Sequence, residues 1–275
     1  MKEKTTILRS TGYILVYLYA LFLLVPMYFI IVTALKSGGE VSANPLGLPE
    51  TLRFGNFVEA FIRGRIGLYA MNSIIVTVTS VVLVLVNAII VSFGIHKLEG
   101  KKTGAFIYNG LIISMFIPAT GFISFLLLMM RLKLYNNLFG LILATGFGGL
   151  AFNVFILTGF LKTVPRELEE AGLMDGCTDM QSLFFVLIPV LKPAIISLGL
   201  FALVGSWNNL FMPLLLINNN NLFTIPLGIL IFKGMYRYEY NLMFAAILLS
   251  SVPLVLVYFR FQKYIVEALA GSVKG

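Results

Sequence analysis

The side chains able to do chemistry gather in two places. Between residues 162 and 193, five carboxylates (Glu167, Glu169, Glu170, Asp175 and Asp179) face three basic residues, so this segment nets −2 in a chain whose formal charge is +8. Farther on, Trp207-Asn208-Asn209 sets an aromatic ring beside two amides, groups that hold sugars by stacking and hydrogen bonding. Other chemistries lack their parts. Cys177 is the one cysteine and His96 the one histidine. That excludes an internal disulfide and argues against a cysteine- or histidine-rich metal centre. Cys177 has no basic neighbour to activate it and reads as a small filler. The sequence contains no Gly-rich phosphate loop of the Walker type.

The elements that must position these residues are membrane helices. Hydrophobic residues make up 59% of the chain and charged ones 12%, with a mean hydropathy of +0.96. A soluble domain carries about 25% charged residues, so lipid must solvate much of this chain. The positive balance does not indicate a nucleic-acid binder, because the charges sit in short clusters between long apolar runs rather than in basic stripes. Windows free of Asp, Glu, Lys and Arg run over 10–35, 66–95, 103–130, 134–161, 193–232 and 240–259. Each can hold a spanning helix of about 20 residues. The fifth window ends in Asn218 to Asn221, Pro226 and Gly228, which read as a surface loop or partial re-entrant segment. The predicted fold is an all-α polytopic membrane protein with six transmembrane helices.

Lysine and arginine in the loops set the orientation. With both termini cytoplasmic, 12 of the 20 basic residues lie inside. The bias is strongest at the N-terminus, between Lys97 and Lys102, and at the C-terminus. Lys2, Lys4 and Arg9 precede an apolar stretch too long for a signal-peptide core, so the first segment reads as a retained anchor. Three parts follow: residues 1–67, with the first helix and an outer loop; 68–262, a transmembrane domain with the acidic loop 162–193; and a cytoplasmic tail, 263–275.

That acidic inner loop is not needed for topology and looks like a docking element. Its spacing predicts two short helices. Pro165 suits a first helical position, and Glu167, Glu169 and Glu170 complement the N-terminal partial charge. Leu168, Ala171, Gly172 and Asp175 recur on one small-residue face. Gly176 is a C-terminal stop. Thr178 and Gln181 form a capping box that restarts a helix, which Pro189 and Pro193 are expected to end before the fifth span.

Glu170-Ala171-Gly172, Asp175-Gly176 and Val186-Leu187-Ile188-Pro189 resemble the EAA loop of binding-protein-dependent ABC importer permeases, with Gly172 standing where a second alanine is usual. The likeness extends over nearly the whole chain, most closely to the carbohydrate branch and its maltose-type second permease. Phe116-Ile117-Pro118 is similar to that branch's proline site in the third span. Trp207-Asn208-Asn209-Leu210-Phe211 with Pro213-Leu214-Leu215 is similar to its Trp-Asn-Glu-Phe…Pro-Leu stretch, Asn209 replacing the glutamate. Ala270-Gly271-Ser272-Val273-Lys274-Gly275 is similar to its glycine-rich tail.

The resemblance implies an inner-membrane permease of a prokaryote that moves a sugar or oligosaccharide. Its ATPase contact would comprise Glu167, Glu170, Ala171, Gly172, Asp175, Gly176 and Pro189. ATP and Mg would bind two separate cytoplasmic ATPase subunits, so the chain itself would need no cofactor and be no enzyme. A homologous second permease would complete the path, and an extracytoplasmic solute-binding protein would meet the loops 36–65 and 218–239.

Trp207, Asn208 and Asn209, expected mid-span, read equally as helix-to-helix hydrogen bonding or as lining of the substrate path. Asn87, Asn109 and Asn153 read as structural glue, and His96 as an interfacial residue. The rivals are a secondary transporter, a channel, or a permease for a non-sugar solute. A secondary transporter usually carries ionisable residues inside its spans, and these windows have none. A channel would leave the acidic loop unexplained.

Overall fold

The computed structural model describes residues 2–117, 121–233 and 239–271, with side chains from 12 to 263. Pro118, the Ser272–Gly275 tail and residues 234–238 of the outer loop lie outside them. Among the described residues there is helix and no strand. In chain order these are α1 (Lys2–Ala34), α2 (Gly38–Ala43), α3 (Gly55–Arg63), α4 (Ile66–Lys97), α5 (Lys102–Phe116), α6 (Phe122–Arg131), α7 (Leu138–Gly148) and α8 (Leu150–Leu161). Then come α9 (Arg166–Met174), α10 (Asp179–Ser182), a π-helical turn (Leu183–Leu187), α11 (Ile188–Trp207), α12 (Phe211–Leu216), α13 (Ile225–Ile229) and α14 (Tyr240–Gly271).

Four helical stretches are individually long and apolar enough to cross a bilayer: Gly12–Ala34, Ile66–Lys97, Asp179–Trp207 and Tyr240–Lys263. The α7–α8 pair makes a fifth if counted as one span bent by 43°. The third expected span is divided into α5 and α6, flanking the interval that contains Pro118. The first stretch has 0% of its apolar window buried within the chain, a surface that only lipid or another apolar protein can cover.

Two compact units divide the chain. The first comprises residues 1–67 and 228–252. In it Lys36, 1% exposed, turns back and donates to the carbonyls of Asn44 at 2.8 Å and Pro45 at 3.1 Å. Asn56 donates to the carbonyls of Ala34 at 2.7 Å and Lys36 at 2.8 Å. The bond to Ala34 satisfies α1's last carbonyl, which has no partner inside the helix. Arg63 joins Glu59 at 2.7 Å and Glu239 at 2.9 Å, so the expected outer loop is folded rather than loose.

The second unit comprises 68–227 and 253–275. Its core gathers Ala88, Phe93, Val154, Leu157, Leu161, Leu187, Leu191 and Leu198 from α4, α8, the π turn and α11. Small residues on α4 let its neighbours come close. Ser80 and Ser92 donate to the carbonyls of Ile142 and Val154, each at 3.3 Å. A Cβ on Gly146 would sit 3.1 Å from Leu83 Cβ. Such hydroxyl contacts are worth about 0.6 kcal/mol each in a membrane, so close packing rather than hydrogen bonding holds these helices.

The two ends of α4, about 48 Å apart at 1.5 Å per residue, carry different partners. At its start Asn72 donates to the carbonyls of Asn221 and Phe223, both at 2.9 Å, and Ser73 accepts the Ile225 N–H at 2.8 Å. Asn136 accepts the N–H groups of Asn218 and Asn219 at 3.0 and 2.8 Å. The asparagine run is therefore exposed at the protein surface and tied down by side chains. The other end meets the acidic segment.

Candidate functional site

The acidic segment folds by local rules. Pro165 is the N-cap of α9, with Arg166 the first helical residue, one position later than the sequence suggests. Glu167 and Glu169 lie in the first turn, where the helix end is positive. The helix stops in a Schellman motif: the Gly176 N–H bonds the Leu173 carbonyl and the Cys177 N–H that of Gly172, both at 3.0 Å. Gly176 has φ +85, which a residue with a Cβ adopts only at a cost. Thr178 and Gln181 close the expected capping box, at 3.3 Å from the Gln181 N–H to Thr178 Oγ1 and 2.8 Å in return.

The prolines do not end this second helix. It runs from Asp179 through the π turn to Trp207 as one 29-residue stretch. The Ile188 N–H bonds the Leu183 carbonyl, five residues back. That wider turn accommodates Pro189, which has no N–H and whose ring an ordinary α turn would press against the carbonyl four residues behind. Pro193 lies inside α11, and the Ser197 hydroxyl bonds its carbonyl at 2.9 Å.

What anchors the segment is a charge cluster not anticipated from the sequence. His96 Nε2 lies 2.9 Å from Glu169 Oε2, both side chains 13% exposed. The carboxylate only accepts, so Nε2 carries the proton in this contact. Lys97 bonds the other Glu169 oxygen and reaches Asp179 at 3.0 Å. Arg166 pairs with Glu99 at 2.8 Å. The C-terminal end of α4 thus grips α9 and α10 together. Burial opposes ionisation of Glu169, but the hydrogen bonds and charges of Lys97 and His96 outweigh it and hold the carboxyl below its ordinary value. Glu169 lies 73 residues from His96 in sequence, and nothing local signals the pairing.

The expected contact residues separate into two sets. Glu167, Glu170, Ala171, Asp175, Gly176 and Pro189 are exposed. Glu167, Glu170 and Asp175 make no ion pair among the described residues. Gly172 faces inward: it is buried, and a Cβ there would meet Val186 Cγ2 at 3.2 Å. The small-residue face expected over Leu168, Ala171, Gly172 and Asp175 is therefore divided, Ala171 facing out and Gly172 in. Beside the exposed acids stand exposed apolar side chains, Leu168 at 44%, Met174 at 88% and Met180 at 57%. Apolar groups grouped with charges on a loop mark an interaction surface.

Trp207, Asn208 and Asn209 do not sit mid-helix. α11 ends at Trp207 with Asn208 as its C-cap, and α12 begins at Phe211. Asn209 Oδ1 accepts the Met212 N–H at 3.1 Å, satisfying a donor that the break exposes. Trp207 is buried and Asn208 exposed, and neither lines the adjoining cavity. Asn209 does. This cavity of about 290 Å³ is also lined by Ser80, Thr145, Asn153, Ser206 and Met212. It lies where the 43° bend at Gly149 parts α7 from α8. Asn153 donates to the Gly149 carbonyl at 2.7 Å, so it secures the bend as well as lining the space; Asn87 bonds within its own helix, to Leu83 at 2.7 Å.

With this geometry in hand, likeness to known proteins becomes informative. The family described as binding-protein-dependent transport system inner membrane component matches residues 88–271. The diacetylchitobiose uptake system permease protein NgcG of Streptomyces coelicolor is 30% identical over 271 residues, covering 96% of this chain and 87% of the relative. The arabinooligosaccharides transport system permease protein AraQ of Halalkalibacterium halodurans is 28% identical over 283 residues, covering 100% of both. Among solved structures, a chain of a bacterial ABC transporter involved in the import of the acidic polysaccharide alginate superposes with a TM-score of 0.79 at 26% identity. It covers 94% of this chain and 96% of that one.

Proposed function

The chain belongs to the binding-protein-dependent transport system inner membrane components, and from that premise we propose that it is one permease subunit of an ATP-driven importer of a sugar or oligosaccharide, coupled to a separate ATPase through the segment 162–193. It is a protein of the bacterial inner membrane. The sugar class follows its relatives, which are named for diacetylchitobiose and arabinooligosaccharides. A partner permease, an ATPase pair and a solute-binding protein complete the machine; the basic residues of the loops support an orientation with both termini and the acidic segment on the cytoplasmic side. ATP and Mg belong to the ATPase.

The observation that carries the coupling role is the two-sidedness of the segment. Its outer face presents Glu167, Glu170, Asp175 and Met174 to solvent, and the three acids have no ion-pair partner among the described residues. Its inner face is keyed to α4 through Glu169 and packed on Val186 through Gly172. A push on the outer face therefore moves a spanning helix. Pro189, on the far side of the π turn, contributes by setting that turn rather than by contact. The substrate path runs past the cavity beside Asn209, with Asn153 and Ser206 supplying further polar groups; Trp207 and Asn208 shape the break that creates it.

Co-purification with the partner permease and ATPase tests the docking face. Glu170→Lys, at an exposed position that leaves the fold alone, is expected to lose the ATPase while keeping the second permease. Full retention of the ATPase by Glu170→Lys and by Met174→Asp would refute the docking role.

A further inference from the structure

In the first unit, α3 presents its apolar face outward. Asn56 and Ala60, 7% and 0% exposed, form its buried side. Val58, Phe61 and Ile62 lie within an arc of about 100° on nearly the opposite side, at 62%, 49% and 68% exposure. Glu59 and Arg63 occupy one flank between the two, with Arg63 paired to both Glu59 and Glu239. A helix packed on a protein in water sends its apolar stripe to the core. Here the buried side holds an amide and a methyl group, and the apolar stripe faces away. Leu52 and Phe54, just before the helix, are also exposed.

Where α3 lies says what covers this face. Its first turn is tied to the end of α1: Asn56 donates to the carbonyls of Ala34 and Lys36, and the Arg53 N–H to that of Leu35 at 2.9 Å. Its last turn reaches the start of α4, where a Cβ on Gly67 would meet the Phe61 ring at 3.4 Å. α3 thus bridges the ends of two spanning helices, the depth at which hydrocarbon gives way to headgroups. α1 brings its own exposed apolar surface toward this level, through Met27 and Ile31. The Arg53 side chain makes no ion pair among the described residues and supplies a cation of the kind that interfacial helices direct at lipid phosphates.

We propose that α3 is an interfacial helix, its face of Val58, Phe61 and Ile62 sunk into the lipid leaflet beside the end of α1, and its charged flank at the water. In the orientation that the basic residues support, this is the outer leaflet. Lipid suits the face better than a solute-binding protein does. A partner that comes and goes meets a surface no more apolar than protein surface at large, whereas this face carries apolar side chains alone. The flank of Glu59, Arg63 and Glu239 is what such a partner would meet, held at a set height by the buried helix. The proposal needs only a chain that spans a membrane, so it stands or falls apart from the importer reading.

Val58→Cys, Ile62→Cys and Glu59→Cys, each in a Cys177→Ser chain, test it. The full chain, with its co-purifying subunits freed of cysteine, carries a nitroxide label in nanodiscs of phosphatidylcholine and phosphatidylglycerol. Electron paramagnetic resonance reads collisions with oxygen, which enters lipid, and with a nickel chelate, which stays in water. At positions 58 and 62 oxygen should relax the label several-fold more than the chelate, and at 59 the order should reverse. Greater access of the chelate at both 58 and 62 would overturn the proposal. So would exclusion of both reagents, the mark of a face covered by a partner permease. A fall in oxygen access on adding the solute-binding protein would assign the face to that protein and overturn the lipid contact.

Discussion

Gly172 and Gly176 are small for different reasons, and substitution separates them. At Gly176 the backbone is left-handed, so Gly176→Ala is expected to cost about 1 kcal/mol and to expose the bonds after Met174 to protease. At Gly172 the obstacle is a side chain. Alanine there meets Val186 Cγ2 at 3.2 Å, a contact that yields by a few tenths of an ångström, and alanine favours helix by about 1 kcal/mol over glycine. Gly172→Ala should therefore leave the thermal stability of the complex nearly unchanged. Gly172→Leu should lower it by about 1–3 kcal/mol, with partial rescue by Val186→Ala. Equal damage from alanine and leucine would show that an external partner, not Val186, sets the limit.

At the scale of the element, the proposed coupling makes the α9–α10 segment a lever whose hinge is the charge cluster at the end of α4. Glu169→Gln keeps the shape of the side chain but removes the charge that Lys97 and His96 balance, at a cost of about 2 kcal/mol. Such a complex should still bind its ATPase and hydrolyse ATP, with less sugar moved per ATP; unchanged coupling in proteoliposomes would refute the lever. The pH dependence has a defined sign. A carboxyl held below its ordinary value of 4.5 contributes stability that is present above that value and lost as pH falls through the lowered one. Proteolysis of the segment should be constant from neutral pH to about 4.5 and rise below it in the native chain, and be raised at every pH in Glu169→Gln. The π turn is a second element-scale device. Pro189→Ala removes the residue that favours the wider turn. Its closure to an α turn would rotate α10 by about 100° and pull Asp179 from Lys97, again lowering coupling.

At the largest scale, the second unit is organised by opposite ends of α4: the asparagine loop at one, the acidic segment at the other. Cys177, partly exposed, offers a direct test of which end is cytoplasmic. A membrane-impermeant maleimide should label it in inverted vesicles but not in intact cells, and an ATPase added back should protect it. In a Cys177→Ser background, Asn219→Cys should show the reverse sidedness. Labelling of Cys177 from outside would invert the topology and remove the basis for cytoplasmic docking.

Length, charge and apolar runs sufficed to identify a polytopic helical membrane protein, because transfer of apolar side chains to lipid depends on composition and not on neighbours. The stop of α9 and the start of α10 were equally legible: Gly176, Thr178 and Gln181 act on backbone groups within five residues of themselves. Which side of α9 faces inward was not, since Gly172 and Ala171 are chemically alike and only the presence of Val186 distinguishes them. Nor was the role of Glu169, whose partners His96 and Lys97 come near only when α4 and α9 meet. Trp207-Asn208-Asn209 lay inside an unbroken apolar window, so hydropathy could not reveal the helix break that turns Asn209 toward a cavity. Local bonding and transfer energies are properties of the chain in order. The facing of a helix, the partner of a charge and the place of a bend are set by surfaces that the chain brings together only on folding.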